Sequence, residues 1–228
     1  DGRADLFVAL RQTRTDTLVW SDHFSDLQQI WWQSQANVAG GIATACAQTL
    51  SQHHLAAISG QAGQGGALDE WLLGQQHLFQ FRPDRFPRAQ VHFQNAIARD
   101  LDFSRGYSSL SQLLNSQHMS CPGVLPDAAQ LARSKHYANK ATALDPLDSL
   151  AQLCRAWAHC LLAEYDQALS GFDLALLANP NDTWTEISAA LGKAFCGELS
   201  DARALSAKSE AKIWARTPVY WTYHCTIH

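Results

Sequence analysis

Tyr165-Asp166-Gln167-Ala168-Leu169-Ser170-Gly171-Phe172-Asp173-Leu174-Ala175-Leu176-Leu177-Ala178-Asn179-Pro180 is the stretch on which the reading of the fold turns. Ala168, Phe172 and Ala175 recur at helical spacing and so share one face. The alanines let a neighbouring helix approach, the phenylalanine fills the groove between helices, and Pro180 stops the helix. Pro146 stands 34 residues earlier and closes a parallel run, Ala138-x2-Ala141-x4-Pro146. A third copy, Ala89-x3-Phe93-x2-Ala96, carries Leu101 where the proline would stand. Such a helix recurring at a fixed period predicts an array of helix pairs, each covering its apolar face by stacking on the next.

A candidate partner helix precedes or follows each copy. Leu73-Gly74-x2-His77, Tyr107-x2-Leu110-Ser111-x2-Leu114 and Ser188-x2-Leu191-Gly192-x2-Phe195 share a bulky–small–bulky pattern, and Ala204 and Ala211 follow the last of them. Period and spacing resemble the tetratricopeptide repeat, whose ideal first helix reads Trp-x2-Leu-Gly-x2-Tyr. Four helix pairs are predicted, over 67–99, 104–144, 147–179 and 182–216. The second exceeds the period, and its excess is placed in a loop near Met119–Pro126, where two prolines and a glycine cluster. Pro218 is expected to end the array, with Val219–His228 a further helix or cap. The fold class is therefore mainly α, a tetratricopeptide-repeat superhelix over 67–228.

Residues 1–58 read differently. Leu6–Leu10 and Thr17–Trp20 are β-prone runs around a polar stretch, which signals a hairpin. Ser25 or Asp26 is a plausible N-cap for a helix through Leu27, Ile30, Trp31, Val38, Ile42, Cys46 and Leu50, weakened at Gly40-Gly41. Neighbours on a helix point about 100° apart. Of Trp31 and Trp32, one is therefore expected on the hairpin and the other against the first repeat or a second subunit. This β-hairpin plus helix reads as the C-terminal part of a small α/β domain. Residues 59–66 hold four glycines and read as a linker.

Composition narrows the function. Of 228 residues 46% are apolar and 17% charged, with a net charge of −4. That supplies a core and argues against a basic nucleic-acid-binding surface. No run of about 18 apolar residues offers a membrane span. The chain opens Asp1-Gly2-Arg3 without a Met or a signal-peptide pattern, so it is expected to be part of a longer protein. Six cysteines sit in a chain large enough to need no staples, and Cys154, Cys160 and Cys196 fall in helical apolar patterns as reduced, packed thiols. There is no Cys-x2-Cys or His-Glu-x2-His, and His53 and His54 diverge on a helix, so no metal site is expected. Gly63-x-Gly65-Gly66 follows a helix and lacks the Lys-Ser/Thr of a phosphate loop; no Gly-x-Ser-x-Gly occurs. Asp69-Glu70 stands at a helix start, where carboxylates favour the helix dipole. Neither an enzyme nor a cofactor is expected.

Thr17-Leu18-Val19-Trp20-Ser21-Asp22-His23-Phe24, with Leu27-Gln28 and Gln35, resembles a segment of bacterial signalling proteins. There a strand ending in Leu-Trp-Ser leads into a helix and closes a small α/β domain ahead of tetratricopeptide repeats. Those proteins are transcription regulators with a winged-helix (OmpR-type) DNA-binding domain, and relatives with an adenylate cyclase domain. Leu73-Gly74, Ala96-Ile97-x2-Asp100 and Ala141-x2-Leu144-Asp145-Pro146 extend the likeness. The resemblance implies the sensory or interaction half of a regulator, touching DNA only through a domain outside these residues, or the regulatory part of an adenylate cyclase. The cytoplasm is the expected compartment. Low Lys and abundant Gln also suit a periplasmic sensor of a membrane-anchored regulator.

Stacked helix pairs expose their first helices on a concave face. Side chains expected there are Trp71 and Gln75 in the first pair; Arg105, Ser108, Gln112 and Asn115 in the second; Trp157 in the third; and Lys193 in the fourth. Aromatics supply area and amides orientation, so the groove suits a peptide of a protein partner or a small polar ligand. The bland alternative has Trp71 and Trp157 packing between repeats, which leaves a docking or oligomerisation scaffold, with a homodimer as one form of it.

Overall fold

The computed structural model describes residues 5–13, 15–24, 31–58, 65–120, 126–210 and 218–228. Strands β1 (Leu6–Gln12) and β2 (Thr17–Phe24) form an antiparallel hairpin, two and four residues longer than the apolar runs suggest. Leu10 pairs with Trp20 and Arg11 with Leu18, so the register shifts beside Val19. The Arg11 guanidinium donates to the Asp16 carbonyl at 3.1 Å, fastening a turn in which Asp16 takes a φ of 51°. Helix α1 (Trp31–Ile58) runs unbroken through Gly40-Gly41. The proposed cap at Ser25 or Asp26, the side chains of Trp31 and Trp32, and residues 59–64 of the linker lie outside the described residues.

The helix pairs follow at the expected places. They are α2 (Ala67–Leu78) with α3 (Phe86–Arg99), α4 (Ser104–Ser120) with α5 (Ala128–Leu144), α6 (Ser149–Leu161) with α7 (Tyr165–Ala178), and α8 (Thr183–Phe195) with α9 (Leu199–Glu210). One detail differs from the sequence reading. Met119 and Ser120 still belong to α4, so the excess of the second pair is partly extra helix. The further helix expected after the fourth pair is α10 (Pro218–Ile227), which Pro218 opens as a first-turn proline can, because the N–H it lacks would have no partner there.

Aspartates set three of the helix starts. Asp127, Asp148 and Asp182 accept backbone N–H groups of Gln130, Leu150, and Trp184 with Thr185, at 2.7 to 3.3 Å. The repeat signature then fixes the packing. Phe93 and Phe172 are fully buried. A Cβ on Gly74 would collide with the Phe93 ring, and one on Gly192 with the Phe172 ring, so only glycine admits the aromatic at either place. One core gathers Leu78, Phe86, Phe93 and the leucines of α4; the other spans α6 to α10.

Inner helices α2, α4, α6 and α8 each touch the next inner helix, whereas the outer helices α3, α5 and α7 touch the next inner one. Inner helices stand closer together than outer ones, so the array curves with α2, α4, α6 and α8 on its concave side. Among the described residues no helix is long and apolar enough to cross a membrane.

Candidate functional site

The concave side is built from three groups of side chains. At the first repeat, the Trp71 indole N–H and the Gln75 amide both donate to the Ser109 hydroxyl, at 2.9 and 2.7 Å. The Arg105 guanidinium lies 5.2 Å above the Trp71 ring, a cation–π contact, and Phe103 meets its edge. Trp71 and Gln75 thus converge on one serine, with Arg105 covering the indole. The same fastener recurs further along, where the Trp157 indole N–H donates to the Ser188 hydroxyl at 2.9 Å. In each case an indole on one inner helix bonds a serine on the next.

The second group is a buried polar chain on α4. Asn115 donates to the Cys154 carbonyl of α6 at 3.0 Å and accepts from Ser134 of α5 at 2.5 Å. Ser111 and Ser134 share a hydrogen bond at 3.0 Å. Buried polar groups so completely bonded fix one arrangement of three helices.

The third group encloses a cavity of about 20 Å³, lined by Gln112, Asn115, Ser116, Leu153, Cys154, Trp157, Trp184, Ser188 and Tyr223. Its walls come from α4, α6, α8 and α10, and its size is that of one water molecule. Among the described residues, the Gln112 Oε1 acceptor and the Trp184 Nε1 donor are buried without a hydrogen-bond partner, and both residues belong to this wall. An unpaired buried amide or indole carries a desolvation cost, so this is a polar spot able to pair with a polar guest.

Tyr223 closes the cavity. Its ring sits 5.3 Å from Trp184 of α8 and 6.3 Å from Phe81, in the connection between α2 and α3. Its hydroxyl bonds Ser116 of α4, and burial pushes its pKa up. Phe81 takes a left-handed φ of 49°, which a non-glycine residue adopts only where its surroundings hold it, and so turns its ring between Phe86 and Tyr223. Phe79 meets Trp184 edge-on at 5.7 Å, bringing the first repeat to the fourth. One tyrosine of the C-terminal helix is therefore held by the first, second and fourth repeats.

The residues singled out from sequence separate accordingly. Gln112, Asn115 and Trp157 line the cavity; Trp71, Gln75 and Arg105 form a cluster between α2 and α4. Ser108 is buried and donates to the Arg105 carbonyl at 3.2 Å, and Lys193 pairs with Asp173 of the outer helix α7 at 2.7 Å, so neither joins the others. Asp69 and Glu70 do more than meet a helix dipole. Asp69 bonds His54 of α1, which lowers its pKa, and Glu70 is buried against Arg99 and His92 of α3, both at 2.8 Å. Tyr223, Trp184 and Phe81 were not singled out. Their spacing carries no repeat signature, and only the curvature of the array assembles them. Among the described residues no group of three or more His, Cys, Asp or Glu is placed to hold a metal ion.

No family model matches the chain, and no curated protein matches it in sequence. Among solved structures it is similar to a thermophilic tetratricopeptide-repeat protein of Thermus thermophilus, with a TM-score of 0.59 and 16% identity over 85% of this chain and 97% of that one. A tetratricopeptide repeat protein from Parabacteroides merdae is a more distant likeness, at a TM-score of 0.39 and 13% identity over 88% and 86% of the two chains. The first likeness shows the fold. This is a tetratricopeptide-repeat superhelix.

Proposed function

We propose that the chain is a non-catalytic docking module whose concave groove takes an aromatic-bearing helix of a partner protein. The observation that carries this reading is that the groove already takes an aromatic side chain of a helix, Tyr223 of α10, which packs on α8 and α9. Through Tyr223, α10 reaches the first, second and fourth repeats, and Tyr220, Tyr223 and Ile227 are all buried on one face of it. Anchors at i, i+3 and i+7 are how an amphipathic helix fills a groove. A partner presenting the same spacing would compete with α10 for the same walls. The small-ligand alternative requires α10 to leave first, since about 20 Å³ admits little more than a water.

On this reading the hairpin and α1, within residues 1–58, are the closing part of a small α/β domain, and the repeats govern how an adjoining effector domain is presented. The likeness of Thr17–Phe24 to winged-helix regulators and cyclase relatives supports a place in bacterial signal transduction. We place the module in the cytoplasm, where its thiols rest reduced.

The test uses a fluorescein-labelled peptide of residues 218–228 and the full chain with Tyr223→Ala, followed by fluorescence anisotropy. Loss of the tyrosine anchor weakens the chain's own α10 as a competitor, whose effective concentration is otherwise in the millimolar range. We expect the variant to bind the peptide at least about tenfold more tightly than the parent, and Ser116→Ala, which removes the partner of the peptide's tyrosine hydroxyl, to reduce that gain. Equal, weak binding by both chains would contradict the proposal.

A further inference from the structure

The Sγ atoms of Cys160, near the end of α6, and Cys196, the cap residue of α8, lie 3.6 Å apart. The two thiols face each other across the boundary between the third and fourth repeats. Their approach follows from the packing already described. Gly192 gives way to the Phe172 ring, and Gly171 meets Ala156 where a Cβ would come within 2.9 Å, so α6, α7 and α8 crowd together here. Cys160 is buried and its sulfur faces the Gly192 carbonyl at 3.9 Å, whereas Cys196 is half-buried and open to a small reagent.

We propose that Cys160 and Cys196 form a redox modification site, converted by a peroxide-class oxidant into an intramolecular disulfide that clamps the third repeat to the fourth. Cys196 reacts first because it is the more exposed. Its thiolate attacks one peroxide oxygen, the O–O bond breaks, and a sulfenic acid and water result. The Cys160 sulfur then attacks the Cys196 sulfur, the S–O bond breaks and hydroxide leaves as water. Two thiols and one hydrogen peroxide give one disulfide and two waters; the thiols lose two electrons and the peroxide gains them. Bond formation needs the sulfurs to close from 3.6 Å to about 2.05 Å.

Two features give the site its character. Burial raises the pKa of both thiols, so the resting pair is protonated and oxidation is slow rather than immediate. The pair also stands beside the groove. Phe195, next to Cys196, meets Trp157 edge-on at 5.7 Å, and Trp157 lies one helical turn from Cys160. A movement that joins the sulfurs is therefore felt at a cavity wall.

The test treats the full reduced chain with millimolar hydrogen peroxide at mildly alkaline pH. The products are read by intact mass, by tryptic mapping without reductant and by thermal unfolding. We expect the tryptic peptides 156–193 and 194–203 to run as one species that dithiothreitol separates. We also expect a mass about 2 Da lower and a Tm higher by about 5 to 10 °C. Cys196→Ser should abolish the linked species, while Cys225→Ser should leave it. Oxidation that leaves the two peptides separate, joins either cysteine to a different one, or lowers the Tm of the linked chain would overturn the proposal.

Discussion

A methyl group at position 192 would collide with the ring of Phe172, and that ring is fully buried with no space to retreat into. We expect Gly192→Ala to destabilise the fold by about 2 kcal/mol through overpacking, lowering the Tm by roughly 4 to 8 °C. Gly197→Ala makes the contrast. Its Cβ has nothing within 4 Å, but the φ of +94° is a conformation that L-residues resist, so a smaller loss of about 1 kcal/mol is expected. Differential scanning calorimetry of the two variants separates collision from backbone strain; equal losses would show that the Phe172 contact is not what position 192 answers to. Gly192 and Phe172 were legible in the sequence because each stands in a repeat signature, where identity and spacing together state a contact. Tyr223 was not, because nothing local tells a tyrosine that will be buried by three distant repeats from one that will face water.

The pair α2–α3 carries a pH response of its own. His77 stacks on His92 at 5.6 Å, and its pKa is lowered by burial, with the charges of His92, Arg85 and Arg88 adding to the effect. In the unfolded chain the imidazole takes a proton near pH 6.5. As the pH falls below that value the unfolded state binds a proton that folded His77 refuses. Stability therefore drops through this window, and the loss stops growing only below the folded pKa. We expect the Tm of the parent to fall between pH 7.5 and 5.5, and His77→Gln to flatten that fall; parallel curves would show that His77 contributes nothing to it. Asp69, whose pKa is lowered chiefly by its bond to His54, loses its contribution only at still lower pH. At this scale the sequence was most readable where a proline or capping aspartate marks a boundary. It misled at Met119-Ser120, where the helical pattern outlasts the period.

Across the whole molecule, curvature makes the site. Four pairs are enough to bring Phe79 of the first repeat against Trp184 of the fourth, and the chain's own C-terminal helix, packed on α8 and α9, sends Tyr223 into the enclosed space. The 34-residue period stated that a concave face would exist and which helices line it. It did not state how tightly the face closes, because that depends on small angles summed over four interfaces. Nor did it show that α10 would turn inward. Hence Gln112, Asn115 and Trp157 were found from periodicity, whereas Trp184, Phe81 and Tyr223 emerge only from the assembled curve.

The central claim is that α10 occupies the concave groove as a built-in ligand. Hydrogen–deuterium exchange of the full chain, parent against Tyr223→Ala, tests it most directly. The account requires faster exchange in the variant along α10, at 112–116 of α4 and at 184–188 of α8, with α3, α5 and α7 unchanged. Acceleration confined to α10 itself, or spread evenly over inner and outer helices, would contradict it.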